Sequence, residues 1–233
     1  MERILAVNIV SSYGRKRVLS GVSISAMAGQ CVGIVGTNGC GKSTLLNILA
    51  GLRKADSGEV YFDGQYASGR RGRKLFTTYA GYVPQESNLI PELRVMDNLR
   101  LWYQNASSLE QELRQGFLHE LEIDRMCHLR AGQLSGGMKK RVSIGCALAG
   151  NPPILILDEP DAALDLPGKA DIRKYLCMYK RLGGTIILAT HDEIDLDLCD
   201  RVFALNGGVS KEIDRTLRGE ALLYQIRNCH EIT

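Results

Sequence analysis

Nowhere does the sequence hold an apolar run long enough to cross a bilayer. Its longest runs, such as the stretch ending at Leu157, are far too short. The start, MERILAVNIV, lacks a charged segment followed by a long apolar stretch and a cleavage site, so no secretory leader is expected. If the protein works at a membrane, another molecule must hold it there. The seven cysteines, at 31, 40, 127, 146, 177, 199 and 229, form no CxxC pair. Such an odd, irregular set favours reduced thiols in the cytosol over a disulfide framework or a zinc site. The four histidines show no metal-ligand spacing. A net charge of +3 is too small to argue for nucleic acid, and no nucleic-acid partner is expected. Repeats, low-complexity tracts and long linkers are also missing. A single domain spanning 1–233 is therefore expected, with 233 residues giving one sizeable core and room for a small subdomain.

What is there is the balance of an ordinary globular chain, 45% hydrophobic and 24% charged. Residues 2–10, 17–26, 59–62 and 77–83 read as strands. Cys31–Val35 is a short β-rich run that enters a glycine loop, and a helix is expected from Lys42 to a stop at Gly51. From about 86 to 150 the pattern is mainly helical. Ile154–Leu157, TIILAT and RVFALN read as buried parallel strands. Between them, Ile172, Tyr175, Leu176, Tyr179 and Leu182 mark one face of a helix over 168–182. Strands alternating with helices imply an α/β fold with a mostly parallel sheet. The first strands, joined by short turns, imply an antiparallel β part beside it.

Gly36 to Thr44 reads GTNGCGKST, a match to G-x-x-x-x-G-K-[ST] with a strand before it and a helix after it. Gly36, Asn38, Gly39, Cys40 and Gly41 would turn successive N–H groups around phosphate oxygens. The helix that starts at Lys42 points its positive end at the anion. Lys42 would reach the β- and γ-phosphates, and Ser43, followed by Thr44, would ligate Mg²⁺. Asp158 stands at the carboxyl end of a buried strand, where open α/β sheets bind ligands. It suits Mg²⁺, and the adjacent Glu159 suits the attacking water as general base. His191 ends another such strand and is placed to contact the γ-phosphate.

Together with the motifs that follow, these residues resemble the nucleotide-binding subunit of an ATP-binding cassette (ABC) transporter. The order matches to about residue 210. Tyr13 resembles the aromatic that stacks on adenine. GTNGCGKST is similar to Walker A. Gln85 in VPQE resembles the glutamine that touches Mg²⁺ and reports to the membrane partner. LSGG at 134–137 is similar to the family signature, ILILDEP to Walker B with its catalytic glutamate, AALD at 162–165 to the D-loop, and THD to the switch histidine. Taken alone, an aromatic in the turn SSYGR just packs and a loop glutamine is just solvated; Tyr13 and Gln85 gain meaning only from the set.

The resemblance implies a P-loop NTPase core with a helical signature subdomain near 86–150. It also implies that two cassettes, copies or paralogues, pack head to tail. Each ATP with its Mg²⁺ would then lie between one chain's Walker A and the other's Ser135, Gly136 and Gly137, with Asp165 nearby. Catalysis is expected from Glu159, His191, Lys42 and Gln85, and metal binding from Ser43, Gln85 and Asp158. A separate transmembrane permease would hold the cassette at the inner face of the cell membrane. The other reading is a soluble cassette ATPase acting on nucleic acid, the ribosome or cofactor assembly. The short chain and the wording LSGGMKKR look more like cassettes of export systems.

Departures from the family pattern are Met138, where glutamine is common, Ala162, where serine is common, and the extra acid Asp161. Lys139, Lys140 and Arg141 are expected to add charge beside the signature. GRRGRK at 69–74 reads as a solvated loop. Cys40, beside Lys42 and a helix N-terminus, is expected to have a lowered thiol pKa.

Overall fold

A computed structural model describes residues 1–162 and 164–229. The chain runs through β1 (Glu2–Tyr13), β2 (Lys16–Met27), β3 (Cys31–Val35), α1 (Lys42–Leu49), β4 (Ser57–Phe62), β5 (Gln65–Tyr66), α2 (Gly69–Tyr79) and β6 (Ala80–Val83). It continues through α3 (Val95–Arg100), α4 (Ala106–Gln115), α5 (Phe117–Glu120), α6 (Gly136–Ala147), β7 (Ile154–Asp158) and α7 (Leu166–Arg181). The last elements are β8 (Thr185–Ala189), β9 (Arg201–Asn206), β10 (Val209–Ile213) and α8 (Gly219–Arg227). β1, β2, β4 and β5 form an antiparallel sheet in the order β2-β1-β4-β5. The second sheet, β10-β9-β3-β8-β7-β6, is parallel except for β10.

Every residue of β3, β7 and β8 is buried, as apolar runs require at the centre of a sheet covered on both faces. Successive side chains of a strand point to opposite faces, and they separate here into two cores. Leu155, Leu157, Ile186 and Leu188 pack with the helices on one side, against Val142 and Ile144 of α6 and Ile172 and Leu176 of α7. Ile154, Ile156, Ile187 and Ala189 pack with α1 and the antiparallel sheet on the other.

Three expectations need correction. Residues 69–79 are a helix, not a loop, and the strand read over 77–83 begins only at Ala80. Gly72, Phe76 and Tyr79 recur at helical spacing, and the Phe76 and Tyr79 rings pack edge-on and stacked against Phe62. Arg70, Arg71, Arg73 and Lys74 remain exposed on the opposite arc. Leu182 does not join the buried face of α7; it lies at the C-cap, where the chain turns away, and is 75% exposed. Ile172, Tyr175, Leu176 and Tyr179 are buried as expected. In the tail, Leu222 and Ile226 of α8 are buried against the cassette itself while Leu223 faces out.

Candidate nucleotide-binding site

β3 lies between β8 and β9, so its carboxyl end opens at the middle of the parallel sheet. The phosphate loop follows at once. A Cβ on Gly36 would collide with the Leu205 carbonyl and Cys40 Sγ, which leaves glycine as the residue that fits. Gly41 stands before α1 with φ 113°, and a side chain there would strike Leu19 and Val18. α1 has no side-chain cap and no acid in its first turn, so its leading N–H groups are open to an anion. Asn38 and Gly39 are exposed on the loop, Ser43 faces out from the first turn, and Thr44 is buried. Lys42 is 5% exposed; its Nζ donates to the Gly36 carbonyl at 3.0 Å. An ammonium folded back on its own loop lies where phosphate oxygens would take its protons.

Glu159 gathers the other groups. Its Oε1 lies 3.6 Å from Lys42 Nζ, its Oε2 accepts from Gln85 Nε2 at 2.9 Å, and His191 Nδ1 stands 3.4 Å away. The carboxylate is 11% exposed, whereas the His191 side chain is 60% exposed. Glu159 also adopts φ 45°, the left-handed region that a non-glycine residue seldom occupies, with its N–H bonded to the Ala189 carbonyl of β8. Asp158 is the last residue of β7. Burial, helped by the charge of Glu159, pushes its carboxyl up and outweighs the bonds from Ser43 and Tyr82 and the charge of Lys42 that pull it down. Its Oδ1 is buried with no hydrogen-bond partner. An orphaned carboxylate oxygen next to a serine hydroxyl offers hard oxygen donors, and it fits Mg²⁺ or its bound water.

Beyond Asp158 and Glu159, Asp161 enters a buried charge cluster. Lys169 bridges Asp161 (3.4 Å) and Asp192 (2.8 Å), and Arg173 reaches Asp161 (3.6 Å), Asp192 (3.2 Å) and Asp195 (2.8 Å). Thr190 Oγ1 donates to Asp195 Oδ2 at 2.7 Å. These bonds fix the residues on both sides of His191 to α7 and to the segment after β7. Burial and the charge of Asp195 push the Asp161 carboxyl up. Of the D-loop motif, Ala163 lies outside the described residues. Asp165 caps α7, its Oδ1 accepting from the Gly168 N–H at 3.0 Å.

The signature lies in a separate place. Ser135 caps α6 and accepts from the Met138 N–H at 3.3 Å. Ser135, Gly136 and Gly137 line a cleft of about 290 Å³ with Leu164, Asp165 and Gly168, and none of the phosphate-loop residues lines it. Met138 is partly buried against the helical core. Tyr13 is 53% exposed at the end of β1, with the Arg53 guanidinium 3.8 Å from its ring centroid. Arg53 is itself held by Ser11 and Ser12. One face of the ring is thus covered by a cation that stands far away in the chain and leaves no local mark.

Two expectations about charge are overturned. Burial pushes the Cys40 thiol up, outweighing Lys42 and the backbone bonds that pull it down, so Cys40 is not an activated thiol. Two of the three cations after the signature are not free charge either. Lys140 is buried and donates to the Pro84 and Gln85 carbonyls at 3.0 and 2.9 Å. Arg141 pairs with Glu122 at 2.9 Å.

The chain matches the family model described as ABC transporter over residues 19–162, and it belongs to that family. It is an ATP-binding cassette. It is 35% identical over 215 residues to the sulfate/thiosulfate import ATP-binding protein CysA of Methylococcus capsulatus, covering 88% of this chain and 61% of that protein. It is 35% identical to the lipoprotein-releasing system ATP-binding protein LolD of Porphyromonas gingivalis, covering 88% of this chain and 96% of that one. Among solved structures, the dimeric post-hydrolysis state of the ATP-binding cassette MJ0796 bound to ADP and Pi matches with a TM-score of 0.79 at 33% identity, covering 93% of this chain and 99% of that one. The chain spans 61% of CysA and 58% of the maltose/maltodextrin import protein MalK of Aliivibrio fischeri.

Proposed function

We propose that this chain is one cassette domain that hydrolyses ATP to power a membrane transporter, working as a head-to-tail pair. The observation that carries the reading is the convergence of Lys42, Gln85 and His191 on Glu159, while Ser135–Gly137 face a cleft elsewhere. A phosphate cradle and a signature that do not meet within one chain need a second chain to complete each site. Nucleotide binding falls to Tyr13, Gly36, Asn38, Gly39, Cys40, Gly41, Lys42, Ser43 and Thr44, with Ser135, Gly136, Gly137 and Asp165 supplied across the pair. Ser43, Asp158 and Gln85 would hold Mg²⁺, which supplies charge neutralisation to the phosphates. Lys42 positions the terminal phosphate. Glu159 takes a proton from water, and His191, beside that carboxylate, would contact the phosphate. ATP then favours the closed pair because its γ-phosphate is gripped from both sides, and loss of that grip favours opening.

The relatives' names as subunits of transport systems support a separate permease as partner, with the cassette on the cytoplasmic face. No helix among the described residues is long and apolar enough to cross a membrane. Export, expected from LSGGMKKR, finds no support, since the CysA and MalK relatives are named import proteins. Size-exclusion chromatography with and without ATP, paired with a phosphate-release assay, tests the reading. A chain that stays monomeric in ATP yet hydrolyses it normally would end the composite-site account.

A further inference from the structure

Lys140 is 5% exposed, and among the described residues no carboxylate lies within ion-pairing distance of its ammonium, although Asp158 and Asp161 attract it from further off. Its Nζ is bound by two backbone carbonyls of the segment that carries Gln85, those of Pro84 at 3.0 Å and of Gln85 itself at 2.9 Å. One helical turn further along α6, the Ser143 hydroxyl meets the Ser87 hydroxyl at 3.3 Å. Residues 140 and 143 share a face of α6, so this face grips residues 84–87 at two points. The same helix begins at Gly136, with Ser135 as its cap. At the other end of the grip, the Gln85 side chain bonds Glu159.

Burying a cation costs several kcal/mol unless strong acceptors surround it, so a lysine hydrogen-bonded to two carbonyls, with Asp158 and Asp161 acting only at longer range, is an expensive way to fill space. Charge-assisted bonds to two successive carbonyls do, however, fix the course of a backbone. α6 and the Gln85 segment would therefore move as one body. We propose that Lys140 is a positioning residue that links the two half-sites of the chain. Engagement of nucleotide by Ser135–Gly137 shifts α6, Lys140 carries Pro84 and Gln85 with it, and the Gln85–Glu159 contact is reset at the chain's own phosphate loop. This inference rests on the composite-site reading above.

The test compares the full chain with Lys140→Met, Lys140→Gln and Lys140→Arg. It measures nucleotide binding with a fluorescent ATP analogue, and kcat, KM and the Hill coefficient with Mg-ATP. Expected for Lys140→Met is a fall in kcat of about tenfold with KM within about twofold, and a Hill coefficient that drops toward one. Nucleotide binding should stay at the parental level. Arginine, which can also donate to two carbonyls, should restore most of kcat and the cooperativity; glutamine, shorter and uncharged, should not. A Met variant with parental kcat and cooperativity overturns the inference. So does an equal loss in all variants that tracks a lowered thermal midpoint, because that marks packing alone. Should the Met variant fail to fold, a folded Gln variant equal to the parent overturns it as well. A parent that turns over ATP while its variants match it sinks this inference only; a parent without turnover sinks the ATPase reading itself.

Discussion

Gln85 Nε2 donates to Glu159 Oε2 at 2.9 Å. The amide thus occupies one oxygen of the carboxylate that would activate water, while Lys42 lies beside the other. Replacing Glu159 by glutamine removes the proton acceptor but keeps the shape. Turnover should fall by about 10²- to 10⁴-fold. ATP should still bind, and an ATP-held dimer should accumulate on size exclusion. Turnover near the parental rate would move the base elsewhere.

Asp192 governs a pH effect. Burial pushes its carboxyl up, but the Lys169 bond, the Ile194 N–H and the charges of Lys169 and Arg173 pull harder and leave it at about 2. A folded value below the ordinary one gives stability that is fully present above the ordinary carboxylate range. That stability is lost as pH falls toward about 2. The thermal midpoint should therefore decline more steeply below about pH 4 in the parent than in Asp192→Asn. Parallel slopes would remove Asp192 from the account.

Cys40 should behave as an ordinary, reluctant thiol. With its pKa raised by burial, alkylation by iodoacetamide at neutral pH should be slower than that of a small-molecule thiol such as glutathione. Cys40→Ser should keep ATP turnover within about threefold of the parent, since the loop works through its N–H groups. Fast, nucleotide-protected labelling by mass spectrometry would contradict the burial argument.

Ser135 has two tasks that a single substitution separates. As the cap of α6 it is worth about 1 kcal/mol, so Ser135→Ala should lower unfolding stability by roughly that amount. Ser135→Asp keeps a capping oxygen but sets a negative charge against the partner's phosphates. It should preserve the melting midpoint and abolish the ATP-dependent dimer. Retention of that dimer would place the nucleotide away from the signature.

Much of the frame is legible because burial in this fold leaves plain marks. CVGIV, ILIL and IILA are apolar runs since their strands are covered on both faces, and GTNGCGKST follows one of them directly. Residues 69–79 are harder to read. Their helix depends on Phe76 and Tyr79 finding Phe62 of β4, and the cations between them mask the spacing. Lys140 leaves no mark at all, because its acceptors are main-chain atoms 56 and 55 positions away. For Cys40 the sequence shows the neighbouring charge but not the depth, and depth decides the sign.

Glu159 sits at φ 45° with a Cβ, in a region that costs an ordinary residue about 1 kcal/mol. Glycine at this position would relax the backbone and remove a buried carboxylate at the same stroke. The most comfortable residue for the backbone is therefore one that lacks the carboxylate the proposed mechanism needs. Stability and turnover pull in opposite directions at this one position, and a screen for thermal resistance alone would drift toward cassettes that grip ATP and never let it go.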